Sequence, residues 1–314
     1  MDKAARPISS APATAPSPKT VSAQAQRALA NHAHTQAPDN LQAHRAMCAE
    51  VQQELGTALL ERHRVTMEEA FIAGVPVRIF TPPAVAAQNR GSLLLNLHGG
   101  GFTVDAGSVT ENAAVAAYAG LRVIAARYRL APEHSFPAAV DDAEAVYRAL
   151  LKDHEAGRIG LYGTSAGACL CAQLLVRLRE QHDPLPCAFG FFTGTADLSR
   201  SGDSEFFFRP AGDPALIDSQ FSAYLKDNDR LSPQISPIFS DLTGFPPTLC
   251  IAGTRDFMLS QTALFHRALL DAGVDARLQI FEAMPHAHWI YLDLPESDQA
   301  FIAMAGFFRR HLAP

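Results

Sequence analysis

Gly163-Thr164-Ser165-Ala166-Gly167 lies between an apolar run, Ile159-Gly160-Leu161-Tyr162, and a helix-like segment from Ala168 to Glu180. The G-x-S-x-G spacing is what a serine on a sharp strand-to-helix turn requires. Such a turn holds the serine backbone in a strained conformation and leaves no room for side chains two positions to either side. It also lifts the hydroxyl clear of the sheet. The N–H of Ala166 then stands at a helix N-terminus, where amide and dipole favour a developing negative charge. Small-residue turns are common, so these five residues alone fit a plain strand–helix connection equally well. Two further segments bear on the choice.

The first is His98-Gly99-Gly100-Gly101-Phe102, directly after Ser92-Leu93-Leu94-Leu95-Asn96-Leu97, which reads as a buried strand. Three glycines after a strand let the backbone approach a bound group and present its N–H donors. An acyl-transfer enzyme needs such donors where a carbonyl oxygen becomes negative, and each is worth on the order of 3 kcal/mol of barrier. The same glycines also fit a flexible turn. A nucleotide-phosphate loop fits less well, because no G-x-G-x-x-G or Walker-type Lys-Ser/Thr follows.

The second segment is downstream. Thr248-Leu249-Cys250-Ile251-Ala252 reads as a short strand with Gly253-Thr254-Arg255-Asp256 at its carboxyl end. Ala276 to Glu282 alternates as a strand should, and Met284-Pro285-His286 follows. A serine hydroxyl is a poor nucleophile near neutral pH. It needs an imidazole to take its proton and a carboxylate to fix the imidazole tautomer. The chain order Ser165, Asp256, His286 is that of α/β-hydrolases, and all three follow predicted strands, where an open α/β sheet places its active site.

With these motifs in order, the chain resembles the hormone-sensitive-lipase-like esterases of the α/β-hydrolase superfamily. The resemblance rests on His98-Gly99-Gly100-Gly101-Phe102, on Tyr128-Arg129-Leu130-Ala131-Pro132-Glu133-His134, on Gly163 to Gly167, and on Met284-Pro285-His286. It runs from about Val65 to the C-terminus. Thr164 and the stretch Arg255 to Ser260 resemble the GTSAG branch, where the other branch carries aspartate before the serine and proline after the triad acid. The resemblance implies a mostly parallel central sheet, helices on both faces and a helical cap. It also implies catalytic Ser165, Asp256 and His286, with an oxyanion hole of backbone N–H groups at Gly99, Gly100 and Ala166. The implied activity is hydrolysis of a small uncharged ester of short or medium acyl chain, through an acyl-enzyme and without metal or organic cofactor. A lactone, carbamate or amide hydrolase would use the same triad, and a ligand-binding receptor on this fold is a further alternative. Dimers occur in such a family, so a homodimer is an open expectation.

Composition agrees with this class. A chain of 314 residues with 48% hydrophobic content has ample material for a buried core, and a net charge of −6 argues against a nucleic-acid surface. No run approaches a transmembrane length, and Met1 to Pro7 has no apolar core of a secretory signal. The five cysteines show no C-x-x-C spacing, which fits reduced thiols and a cytoplasmic location rather than a metal site.

Along the chain, residues 1–19 are rich in Ala, Pro and Ser and read as disordered. Residues 20–64 read as two helices, Val21–Thr35 and Asn40–His63, the second carrying a stripe of Met47, Val51, Leu55 and Leu59. The catalytic domain is expected over 65–314, beginning with a hairpin (Val65–Phe71, Val75–Phe80) and then alternating strands and helices. Between about 197 and 237 no strand is evident, and the resemblance makes this stretch a cap insertion. Its Phe206, Phe207 and Phe208, together with Phe102, are candidate substrate contacts, although cap core is an equal reading. His288 competes with His286 for the base and is otherwise expected at the pocket or the cap. Asp197 and Asp275 compete less well with Asp256, one coming a strand too early and the other preceding its strand. His98 reads as a support for the glycine loop, Arg129 and Glu133 as a scaffold pair, and Asp141 and Asp142 as a solvated helix face or a cap contact.

Overall fold

Alternate residues of the central strands divide between two apolar layers, and that division fixes how the helices pack. Leu95, Leu97, Leu161, Phe189, Phe191 and Cys250 belong to one buried cluster, whereas Leu94, Val123, Tyr162, Phe192 and Ile251 belong to the other. Successive side chains of a strand point to opposite faces, so a sheet that is apolar on both must be covered on both. The structure is a computed structural model that describes residues 18–31, 40–85, 89, 91–208 and 221–312. The stretch 1–17 read as disordered, the end of the first expected helix and the middle of the expected cap insertion lie outside these residues.

Strands β1 (Thr66–Ile72) and β2 (Val75–Thr81) form the expected hairpin, followed by β3 (Leu93–Leu97), β4 (Arg122–Ala126), β5 (Ile159–Thr164), β6 (Ala188–Phe192), β7 (Thr248–Arg255) and β8 (Ala276–Pro285). They make one sheet in the order β1-β2-β4-β3-β5-β6-β7-β8. The pairs β1–β2 and β2–β4 are antiparallel, and every later pair is parallel. Helices α1 (Ala23–Asn31) and α2 (Leu41–His63) precede the sheet. Helices α3 (Thr110–Ala119), α4 (Ala138–Leu150) and α5 (Ala166–Glu180) alternate with the central strands. Two short helices, α6 (Asp203–Phe208) and α7 (Ser222–Leu225), come after β6. Helices α8 (Leu259–Asp271), α9 (His288–Tyr291) and α10 (Pro295–His311) complete the chain. Leu170 and Leu174 of α5 and Phe265 of α8 pack in the first layer, Val115 of α3 and Phe301 and Phe308 of α10 in the second.

Helix α2 begins at a capped end, where the Asn40 side chain accepts from the N–H groups of Gln42 and Ala43. Its buried line is Cys48, Gln52, Gly56 and Leu59, one residue round from most of the stripe expected from sequence. The reason is close approach to the loop after β3. A Cβ on Gly56 would lie 2.6 Å from Cγ1 of Val109, and Gln52 spans the same loop by donating to the Asp105 carbonyl (2.7 Å) and accepting from Val109 N–H (2.8 Å). The polar pairing also differs from expectation. Arg129 pairs with Asp142, while Glu133 takes a two-pronged bond from Arg45 of α2 at 2.7 and 2.8 Å. Asp142 is not a solvated residue: it is buried and also accepts from the Arg129 N–H at 2.8 Å. Arg45 further donates to the carbonyls of Thr103 (2.9 Å) and Ala131 (3.0 Å), which ties α2 to the segment that continues the glycine loop.

Candidate active site

β5 ends at Thr164 and α5 starts at Ala166, so Ser165 alone makes the turn, with φ 59° and ψ −121°. A non-glycine residue held there costs about 1–3 kcal/mol, a strain found where a site needs it. The flanking glycines permit it. A Cβ on Gly163 would stand 2.3 Å from the Gly167 carbonyl carbon, and one on Gly167 would stand 1.9 Å from the Leu97 carbonyl oxygen. Ser165 occupies the N-cap position of α5 but makes no side-chain cap bond, which leaves its hydroxyl for another partner.

That partner is His286, which follows the last residue of β8. Its Nε2 lies 3.0 Å from Ser165 Oγ, and its Nδ1 lies 2.9 Å from Oδ1 of Asp256, the residue directly after β7. Both strands run a few residues further than expected, to Arg255 and Pro285, and so deliver the two side chains at their carboxyl ends. Asp256 is fully buried and its Oδ1 also accepts from Met258 N–H at 2.8 Å. A carboxylate facing Nδ1 keeps the proton there and leaves Nε2 as the acceptor for a serine hydroxyl. The imidazole stacks on Phe257 at 4.2 Å, which fixes its plane.

Thr193 joins this group without any motif in the sequence to mark it. It follows β6 with φ 44°, its hydroxyl donates to Oδ2 of Asp256, and its Oγ1 lies 3.1 Å from His286 Nδ1. No motif surrounds it, and only its place at the end of a strand beside β7 gave a signal.

The glycine loop stands over the serine. A Cβ on Gly99 would come within 3.4 Å of Ser165 Cβ and 2.8 Å of the Thr164 carbonyl. Gly100 has φ 122°, and a Cβ there would lie 2.0 Å from the Val104 carbonyl, so this position requires glycine. The carbonyls of both are turned into the loop: Gly99 accepts from Ala106 at 3.2 Å, and Gly100 from Thr103 at 3.0 Å and Val104 at 3.1 Å. Ala166 opens α5, where first-turn N–H groups have no carbonyl one turn back. His98 supports the loop from below, its Nδ1 2.8 Å from the Gly99 carbonyl and its ring stacked on Tyr128 at 4.2 Å.

The remaining candidates fall elsewhere. His288 is buried in α9 between Phe281 and Trp289, with Nε2 3.5 Å from the Glu296 carbonyl. It thus packs in the core rather than against a pocket or a cap, because the chain turns into α9 directly after His286. Burial pulls its imidazole down to about 4. Asp197 is bound by its own turn, to Ser199 and Arg200. Asp275 lies 3.9 Å from Arg277. Phe102 is fully buried and stacked on Tyr224 at 3.8 Å. Phe206 and Phe207 of α6 are 71% and 66% exposed, and Phe208 is half-buried, so their rings do not share one environment. Among the described residues, no group of three or more His, Cys, Asp and Glu side chains is placed to hold a metal ion, and no helix is long and apolar enough to cross a membrane.

A strained serine at a strand-to-helix turn, a histidine and a carboxylate in line with it, and a glycine loop beside it define a hydrolase of the α/β class. The chain belongs to that family: the family described as alpha/beta hydrolase fold matches residues 94–290. Among its relatives is an acetyl-hydrolase of Streptomyces hygroscopicus, 36% identical over 71% of this chain and 77% of its own length. An esterase of Acinetobacter venetianus is 30% identical over 75% and 79%. Solved structures are similar over more of the chain. One esterase superposes with a TM-score of 0.84 at 32% identity, covering 95% of this chain and 96% of its own. An esterase from the bacterial hormone-sensitive lipase family gives 0.78 at 30% identity, covering 89% and 94%.

Proposed function

We propose that this protein is a serine carboxylesterase acting on small uncharged esters of short to medium acyl chain. The observation that carries the reading is the continuous line from Ser165 Oγ to His286 Nε2 (3.0 Å) and from Nδ1 to Asp256 (2.9 Å). Ser165 attacks the ester carbonyl as His286 takes its proton, and Asp256 stabilises the imidazolium that forms. The N–H groups of Gly99, Gly100 and Ala166 hold the oxyanion. His286 then protonates the departing alcohol. Water, activated by the same imidazole, releases the acid and restores the free serine. The acyl range rests on resemblance, supported by the relative named as an acetyl-hydrolase. In this reading the N-terminal helices and the segment from about 197 to 237 form a cap over the serine, and the five free thiols suit a cytoplasmic setting.

The test is covalent labelling. A fluorophosphonate probe should add its mass at Ser165 of the native protein and fail to do so in Ser165→Ala. Folded wild-type protein that resists the probe would overturn the reading. p-Nitrophenyl acetate, butyrate and decanoate compared at equal enzyme then give the acyl range, with kcat/KM expected to fall at the longest chain. A preference for decanoate would reject the short-chain assignment.

A further inference from the structure

Behind the nucleophile lies a carboxylate that the reaction as described does not use. Glu111, in the first turn of α3, is fully buried. Its Oε1 accepts from the Thr164 hydroxyl and from Nε1 of Trp289 at 2.8 Å, and its Oε2 accepts from Nδ2 of Asn96 at 3.2 Å. All three partners are neutral donors. The set continues outward: Asn112 donates to Oδ1 of Asn96 at 2.9 Å and to the Ser108 carbonyl at 2.8 Å, and the Tyr162 hydroxyl donates to Asn112. Burial pushes the Glu111 carboxyl upward, against the pull of its three donors.

The placement of those donors matters more than their number. Thr164 immediately precedes Ser165. Trp289 lies three residues beyond His286, at the start of the helix that ends the histidine loop. Asn96 lies three residues before Gly99, on the strand that carries the oxyanion glycines. One side chain therefore touches the three segments that supply nucleophile, base and oxyanion donors. A buried carboxylate is a costly way to hold a fold together, since an apolar replacement of like shape is often no less stable. Its geometric demands, however, are strict, and small misplacements of reacting groups slow catalysis steeply.

We propose that Glu111 is a positioning residue, whose carboxylate holds the serine turn, the oxyanion strand and the histidine loop in one register. The proposal rests on Ser165 and His286 being the reacting pair. Its chemistry suggests a direct test. In Glu111→Gln the carbonyl oxygen still accepts from Thr164 and Trp289, but the new amide N–H₂ faces the Asn96 amide N–H₂, two donors with no acceptor between them. Asn96 cannot simply flip, because its Oδ1 already serves Asn112. Asn96→Asp restores an acceptor at that point, moves the charge to the hydrogen-bonded neighbour, and leaves an oxygen for Asn112.

The experiment compares wild type, Glu111→Gln and the Asn96→Asp/Glu111→Gln double variant, by p-nitrophenyl butyrate kinetics and by fluorophosphonate labelling rate. Emission of Trp289, the only tryptophan in the chain, reports whether the site stays packed. The expected result is a fall in kcat and in labelling rate of roughly 10- to 100-fold in Glu111→Gln, with KM within about twofold, and recovery in the double variant to within about threefold of wild type. Wild-type kcat in Glu111→Gln, or a loss that Asn96→Asp leaves unrepaired, would overturn the proposal. Should Glu111→Gln fail to fold, Thr164→Val removes a single tether, and an unchanged kcat there overturns the proposal as well. A wild-type protein that the probe never labels instead overturns the esterase reading itself, so the two failures are told apart.

Discussion

Replacing His288 with phenylalanine should remove a specific part of the acid sensitivity of the fold. His288 is 1% exposed, packed on Phe281 and Trp289, and burial lowers its imidazole from the ordinary 6.5 to about 4. The folded-state value is depressed, so between those two values the unfolded chain binds a proton that the folded chain refuses. Stability therefore rises with pH across that window: the contribution is fully present above 6.5 and is lost as pH falls toward 4. The full gap corresponds to about 3 kcal/mol, from roughly 1.4 kcal/mol per unit. At about pH 5 the unfolded imidazole is nearly all protonated and the buried one is mostly neutral, which gives about 2 kcal/mol of that loss. Urea unfolding of wild type and His288→Phe at about pH 7.5 and about pH 5 measures this as a double difference, in which the packing cost of the larger ring cancels. Wild type should lose about 2 kcal/mol more than the variant between the two conditions. Equal losses would show that His288 is not held neutral by its surroundings, and would remove the argument that it sits in the core.

Thr193→Val deletes the hydroxyl that donates to Oδ2 of Asp256. A hydrogen bond to a charged group is worth about 1.5–3 kcal/mol, so kcat should fall by roughly 10- to 100-fold with KM little changed; unchanged kcat would exclude Thr193 from orienting the acid. Gly167→Ala sets a Cβ 1.9 Å from the Leu97 carbonyl oxygen. Thermal melts should show a loss on the order of 3 kcal/mol, together with weakened probe labelling, and a wild-type melting curve would contradict the close packing of the turn. Arg45→Ala removes donors to the Thr103 and Ala131 carbonyls as well as to Glu133. It should cost more than Glu133→Ala, by about 1 kcal/mol in chemical denaturation, because an exposed ion pair contributes little by itself; equal costs would mean that the carbonyl contacts are idle.

The alignment of Ser165, Asp256 and His286 was legible because each directly follows a strand whose apolar run is short and clear. The choice of His286 over His288 rested on the Met284-Pro285 that precedes it, and the structure gives the reason: β8 continues through Pro285, and the chain enters α9 at His288. The glycines were legible for a similar reason, since Gly100, Gly163 and Gly167 stand where backbone occupies the space of a side chain. What escaped depends on contacts between distant segments. Arg129 and Glu133 sit four apart and look like partners, yet each meets a residue from another element, Asp142 and Arg45. Thr193 and Glu111 belong to no local pattern, because a hydroxyl or carboxylate that finds its partners across the sheet has no neighbours in sequence to announce it. The buried line of α2 shifted by one residue because Gly56 and Gln52, neither strongly apolar, fit the loop it packs on better than Val51 and Leu55.

The spatial order of the strands has a consequence for a chain emerging from the ribosome. Ser165 and the glycine loop directly follow β5 and β3, adjacent strands that pair with each other, whereas Asp256 and His286 follow the last two strands at one edge. Ser165 and His286 are separated by 121 positions. Synthesis through α5 thus supplies Ser165 without His286, and the line from serine to carboxylate closes only when β8 docks on β7. Until then the serine has no imidazole beside it to take its proton. A chain cut before residue 286 would carry Ser165 without that acceptor.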